Sequence, residues 1–136
     1  GQPGPFVDSF GTLGSVPFSH LIQLMRSATL VIQPSRFEGW STVVEDIKAL
    51  GRPLACSALA VHREQAPAAL GFFDCDRPDE LASILRARWT TLSAGPDLSQ
   101  ENASLATERE FARSHGRRLA AICREAFHLA QASAKA

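Results

Sequence analysis

The chain has no surplus of charge of either sign. Its 14 basic residues are matched by 14 acidic ones, so bulk electrostatics favours neither nucleic acid nor an acidic membrane as a partner. Cysteine is scarce: Cys56, Cys75 and Cys123 are odd in number, far apart, and part of no C-x-x-C or Cys/His cluster. That pattern argues against a disulfide framework or a zinc site, and for reduced thiols in a cytoplasmic protein. No apolar run reaches the ~18–20 residues of a membrane span, and no charged-then-apolar signal peptide leads the sequence. There is no internal repeat, and only the Ala-rich tail after Gln131 is low in complexity. The four histidines fall at spacings that assign no serine triad, which is a matter of geometry rather than order.

What is present reads as one domain, residues 1–136, with 45% hydrophobic content and enough length to bury ~65–70% of its unfolded surface. Gly1-Gln2-Pro3-Gly4-Pro5 is unsuited to regular structure, and Phe6 to Leu13 offers one short strand ending at Gly14. From Pro17, the apolar positions Phe18, Leu21, Ile22 and Met25 predict an amphipathic helix to about Ala28. A strand over 29–33 and a helix over 42–50 follow, with Gly51 as the helix stop. Leu54-Ala55-Cys56 is a second buried strand. Ala58 to Ala69 should contain a turn of helix around Arg63, and Phe72-Phe73 a last short strand. Pro78 opens a helix to about Thr91, and Ser93-Ala94-Gly95-Pro96 links it to a helix capped by Asp97 or Ser99. His115-Gly116 is expected to interrupt that helix after Ser114. Beyond it, Leu119, Ile122, Cys123, Ala126, Phe127 and Ala130 form an apolar stripe opposite Arg117, Arg118, Arg124 and Glu125. Strands alternating with helices predict an α/β fold: a partial Rossmann-like parallel sheet of three or four strands, flanking helices and a long C-terminal helix.

Function should reside in the segment from Pro34 to Asp46. Leu30-Val31-Ile32 is a buried-looking strand that Pro34 ends by removing a ladder donor, and Gly39 permits a sharp turn. Thr42 with Glu45 three positions on has the spacing of a capping box, which would start a helix and aim unpaired N–H groups at the loop. Such a helix start attracts phosphate. Arg36 is either exposed or within reach of that phosphate. Asp74-Cys75-Asp76 imitates a D-x-D metal motif, yet it precedes a helix start at Pro78, where Asp is favoured anyway, and no metal is expected.

Pro34-Ser35, Glu38-Gly39-Trp40-Ser41-Thr42-Val43-Val44-Glu45-Asp46 and Lys48-Ala49-Leu50-Gly51-Arg52-Pro53 together resemble retaining GT-B glycosyltransferases of family 4. Ser57, Val61-His62-Arg63-Glu64-Gln65, Phe72-Phe73-Asp74 and Asp79-Glu80-Leu81-Ala82 follow the same pattern in order. The similarity covers roughly residues 10 to 130 and is specific from 34 to 82. It implies the last part of a C-terminal, nucleotide-sugar-binding domain, with the nucleotide sugar as donor substrate and no separate cofactor. Glu38 would bond hydroxyls of the donor sugar as the catalytic-site carboxylate. The backbone of Gly39, Trp40, Ser41, Thr42 and Val43 would face the diphosphate. Asp46, where the family usually has Glu, would accept the two ribose hydroxyls, a role that suits an acceptor-only carboxylate. Trp40 either lines the sugar or base pocket or packs on the surface. His62 and Glu64 carry no role from the family and read as helix-cap or surface residues.

The family's diphosphate-neutralising Arg and Lys and its acceptor domain have no counterpart in this sequence, so the segment alone is not expected to turn over. The acceptor is unknown. The rival reading is a non-catalytic half-domain that binds nucleotide or another protein. An open sheet edge near Phe6 to Phe10, and the stripe from Leu119 to Ala130, point to a homodimer formed by edge pairing or helix exchange.

Overall fold

The computed structural model describes residues 11–133. The elements run α1 (Phe18–Ser27), β1 (Val31–Gln33), α2 (Thr42–Ala49), β2 (Leu54–Ser57), α3 (Ala60–Gln65), β3 (Gly71–Phe73), α4 (Pro78–Arg88) and α5 (Leu98–Ser133). The sheet has three parallel strands in the order β1-β2-β3, with Val31 opposite Leu54 and Cys56 opposite Phe72. Each parallel pair needs a crossover, and α2 and α3 supply them. All four residues of β2 are buried, as a central parallel strand covered on both faces requires. Among the described residues, β1 pairs only with β2, so its outer edge carries no strand.

The core forms where α1, α2 and α3 meet one face of the sheet. Met25, Val44, Ile47, Leu54, Cys56 and Ala66 are its buried members, and Leu21, Ile22, Val31 and Phe72 pack against them. The helical spacing of Leu21, Ile22 and Met25 is what turns α1 inward. Against the other face, α4 lies over β3 so closely that a Cβ on Gly71 would stand 2.7 Å from Ile84 Cδ1.

Helix α2 stops as expected. Arg52 N–H donates to Ile47 O and Gly51 N–H to Lys48 O, at 3.1 and 3.0 Å, and Gly51 takes φ +62. These are the paired bonds of a Schellman cap, for which glycine is preferred. Gly51 also seats α5, since its Cβ would lie 2.7 Å from Ser104 Oγ and 2.8 Å from Gln100 O. The partly buried ion pair Arg26–Glu101 (2.9 Å) fixes the same helix to α1, and Lys48–Glu108 (3.7 Å) adds a contact to α2. Arg52 donates to the carbonyls of Ala28 and Ser93, joining the end of α1 to the linker before α5.

Several expectations need correction. The strand expected over Phe6 to Leu13 lies mostly outside the described residues, and residues 11–13 are irregular and exposed. The helix opened by Pro78 ends at Arg88, followed by a 3₁₀ turn over Trp89–Thr91. Asp97 is the residue that caps α5, its Oδ1 accepting Gln100 N–H at 3.0 Å. His115-Gly116 does not interrupt α5, which is continuous for 36 residues. One interior glycine costs only about 1 kcal/mol, less than its Ala-, Leu-, Glu- and Arg-rich flanks supply. The ion pair Arg117–Glu110 (2.9 Å) moreover bridges the site.

Candidate functional site

The loop from Pro34 to Ser41 leaves the C-terminal end of β1 and enters α2, where a parallel sheet presents its ligand crevice. Glu38 is held rather than free. Its Oε1 accepts from Ser35 Oγ at 2.8 Å and from Gln33 Nε2 at 3.0 Å. Gln33 is the last residue of β1, so the carboxylate is referenced to the sheet and not to the loop alone. Gln33 Nε2 also lies 3.0 Å from Ser35 Oγ and 3.4 Å from Ser41 Oγ, bringing Glu38 and the start of α2 into one polar cluster. With both contacts on Oε1, Oε2 remains for the hydroxyls of a ligand. Phe37 and Trp40 flank this carboxylate in sequence and are 87% and 56% exposed.

The capping box expected from Thr42 and Glu45 does not form. Ser41, not Thr42, is the N-cap residue, and no side chain of its own caps the helix. Gln65 of α3 does the work instead. Its Oε1 accepts Ser41 N–H at 3.1 Å, and its Nε2 donates to Ser41 O at 3.1 Å and to Glu45 Oε1 at 2.9 Å. Glu45 Oε2 meets Lys48 at 2.9 Å, so both its oxygens are engaged inside the fold. The tether uses up the Ser41 amide, one of those expected to face a diphosphate. The next three, on Thr42, Val43 and Val44, precede the first intrahelical donor, Glu45 N–H to Ser41 O, and have no acceptor among the described residues; Val44 is fully buried, which leaves Thr42 and Val43 to meet a ligand. Asp46 lies one turn beyond Thr42 on the same side of α2, half-buried, and its carboxylate has no partner among the described residues. No contact joins it to Glu38.

A cleft of about 280 Å³ opens at the C-terminal ends of all three strands, lined by Ser35, Arg36, Ser57, Phe73, Cys75 and Asp76 among others. Arg36 reaches across it to Asp76 at 2.6 Å, an exposed pair. The hydrogen bond and charge of Arg36 lower the Asp76 pKa, and those of Asp76 raise that of Arg36. The second Asp of Asp74-Cys75-Asp76 is thereby tied to an arginine, while Asp74 Oδ1 accepts the Asp76 N–H at 2.9 Å. A larger groove, about 730 Å³, lies at the other end of the sheet, between α5, the end of α2 and the segment 65–70. Neither cavity is lined by Glu38, Asp46 or the residues Gly39 to Val43; the position at the strand ends makes the smaller cleft the one that bears on ligand chemistry.

No protein-family model, curated protein or solved structure matches this chain.

The site therefore rests on its own geometry, and two of its members were not legible as such. Gln65 is 3% exposed and His62 is 0% exposed, which corrects the cap-or-surface reading of His62. His62 Nδ1 lies 3.1 Å from both Ser57 O and Ser57 Oγ. Since Ser57 Oγ donates to Ser35 O, the ring's Nδ1–H donates to Ser57 O, and Nε2 is buried without a partner among the described residues. Together Ser57 and His62 lock the end of β2 to the loop that carries Glu38. The available signal was two hydrogen-bonding residues three apart, His62 and Gln65, on a short helix beside the apolar Val61 and Ala66.

Proposed function

We infer that this chain is the donor-binding segment of a retaining GT-B glycosyltransferase, a cytoplasmic protein that holds the diphosphate, ribose and sugar of a nucleotide sugar for transfer to an acceptor. The observation that carries the reading is the immobilised Glu38 carboxylate, set at the end of a parallel strand beside the unpaired amides of α2. A helix start supplies N–H donors and a partial positive charge, which fits the diphosphate that leaves as the glycosidic bond breaks. Glu38 Oε2 would accept sugar hydroxyls, and Asp46 the ribose diol, by charge-assisted bonds. In a retaining transfer the acceptor oxygen bonds to the anomeric carbon as the bond to the diphosphate oxygen breaks, and the acceptor's proton passes to that departing oxygen. These residues would bind and orient the donor, and turnover would require an acceptor-binding surface and cations on the diphosphate.

A panel of nucleotide sugars, titrated while the Trp40 indole and the Gly39 amide are followed by NMR, tests this. Glu38→Ala should weaken a nucleotide sugar about tenfold, the loss of one charge-assisted bond, and leave the parent nucleoside diphosphate unaffected. Equal effects on both ligands, or no saturable shift with any donor, would refute the assignment. A second reading, a non-catalytic interaction half-domain, is favoured by the edge of β1, which carries no strand among the described residues, and by the exposed apolar side chains of α5.

A further inference from the structure

His62 is fully buried on α3, and its place there carries a cost. Its Nε2 has no hydrogen-bond partner among the described residues, whereas a leucine or phenylalanine would fill the space without burying an unpaired polar atom. What the ring supplies, and an apolar side chain would not, is the Nδ1–H. It lies 3.1 Å from both Ser57 O and Ser57 Oγ. A hydroxyl that accepts on one side turns its own hydrogen to the other, and Ser57 Oγ donates to Ser35 O. The Ser35 hydroxyl in turn donates to Glu38 Oε1 at 2.8 Å. Every hydrogen in this series points toward the carboxylate. The reverse arrangement, with Ser57 Oγ donating to Nδ1, would strip Ser35 O of its donor and move the ring hydrogen to Nε2, buried without an acceptor. Orphaned buried donors of that kind are rarer than unpaired acceptors.

We propose that His62 is a positioning residue for Glu38, acting through Ser57 and Ser35 to hold Oε1 against the loop and leave Oε2 for a ligand. Glu38 is then fixed from two strands, from β1 by Gln33 Nε2 at 3.0 Å and from β2 by the series that His62 directs. Gln33 does not suffice alone. Its side-chain nitrogen faces Glu38 Oε1, Ser35 Oγ and Ser41 Oγ, and an amide has two hydrogens to share among those three acceptors. Gln65, the other buried polar residue of α3, bonds to Ser41 and Glu45 and stands outside the series. One helix therefore sets the start of α2 through Gln65 and the Glu38 carboxylate through His62. The consequence for affinity rests on the donor reading above: a misoriented Glu38 loses the sugar hydroxyls and leaves the diphosphate contacts intact.

The free protein gives the first test. At a pH above the ordinary histidine range, long-range proton–nitrogen correlation by NMR should show Nδ1 of His62 as the protonated nitrogen and Nε2 as the bare one. The opposite tautomer overturns the proposal. His62→Leu should move the side-chain amide resonances of Gln33, which donates to Glu38, and leave those of Gln65 in place. His62→Asn sets an N–H where Nδ1 stood and should return Gln33 to its original shifts. Ser57→Ala breaks the same series without altering α3 and should reproduce the His62→Leu change, which keeps the test decisive if the leucine variant fails to fold. Unmoved Gln33 resonances in either folded variant, or equal movement of Gln33 and Gln65, overturn the proposal. Toward a nucleotide sugar, His62→Leu should raise Kd about threefold to tenfold, spare the parent nucleoside diphosphate, and add nothing in a Glu38→Ala background. A further loss in that background overturns the route through Glu38. A chain that binds no nucleotide sugar strikes the donor reading alone, and the Gln33 resonances then decide for or against His62.

Discussion

Replacing Gln65 by Leu keeps most of the side chain's volume and removes all of its hydrogen bonds. Gln65 makes two bonds to the Ser41 backbone and one to the Glu45 carboxylate, from a position 3% exposed. At about 0.5–1.5 kcal/mol for each neutral bond and about 1.5–3 for the charged one, the gross loss lies between about 2.5 and 6 kcal/mol. Added apolar contact returns part of this, so a net loss of about 3 kcal/mol is expected, a large fraction of the 5–15 kcal/mol typical of a domain. The penalty is high because Ser41 is 2% exposed, and its amide would be left buried without an acceptor. Urea unfolding at one low protein concentration measures it, with the m-value as the check that the unfolded state is unchanged. Gln65→Glu is the informative companion. It preserves the acceptor for Ser41 N–H but sets a carboxylate against Glu45, and at neutral pH it should cost more than Leu. A loss below about 1 kcal/mol for Gln65→Leu, at unchanged m, would refute the claim that α3 fixes the start of α2.

Burial pushes the Cys56 thiol up to about 11 from an ordinary 9.0. The unfolded thiol ionises first, so stability is complete below pH 9, falls as pH rises toward 11, and should drop by about 2 kcal/mol between pH 8.5 and 10.5. With no tyrosine and only Lys48 and Lys135 as lysines, few other groups titrate there, and Cys56→Ala should flatten the profile. An unchanged slope in that variant would assign the effect elsewhere. Gly51→Ala should cost about 2–4 kcal/mol in thermal or urea unfolding, because it strains a residue at φ +62 and drives a methyl into the Gln100 carbonyl. A loss below 1 kcal/mol would mean that α5 moves aside freely. A nucleoside diphosphate should bind no tighter than about 0.1–1 mM, the range of a few hydrogen bonds, and shift the amides of Gly39, Thr42 and Val43 most. Micromolar affinity by calorimetry, or shifts confined to α5, would contradict this.

The sequence by itself determined the α/β class, the order of helices and strands and the position of the loop. Those features are written in short-range chemistry: the spacing of Leu21, Ile22 and Met25, Pro34 closing a strand, Gly51 able to take a positive φ. The location of Glu38 at a strand end follows from the same local signals. Tertiary structure alone decided which polar groups meet. The Thr42–Glu45 spacing suggested a local cap, but a buried partner 20 residues away, Gln65, engages the carboxylate that would have reached back to the Thr42 N–H. His62 likewise read as a helix-cap or surface residue, because nothing in its neighbours reveals that Ser57 stands beside its ring. Continuity of α5 through Gly116 was also beyond a local reading, since a breaker is weighed against the whole helix and the ion pair that spans it. Hydrogen-bond partners far apart in the chain are chosen by how the sheet and helices stack, a property of the assembled core that no window of sequence contains.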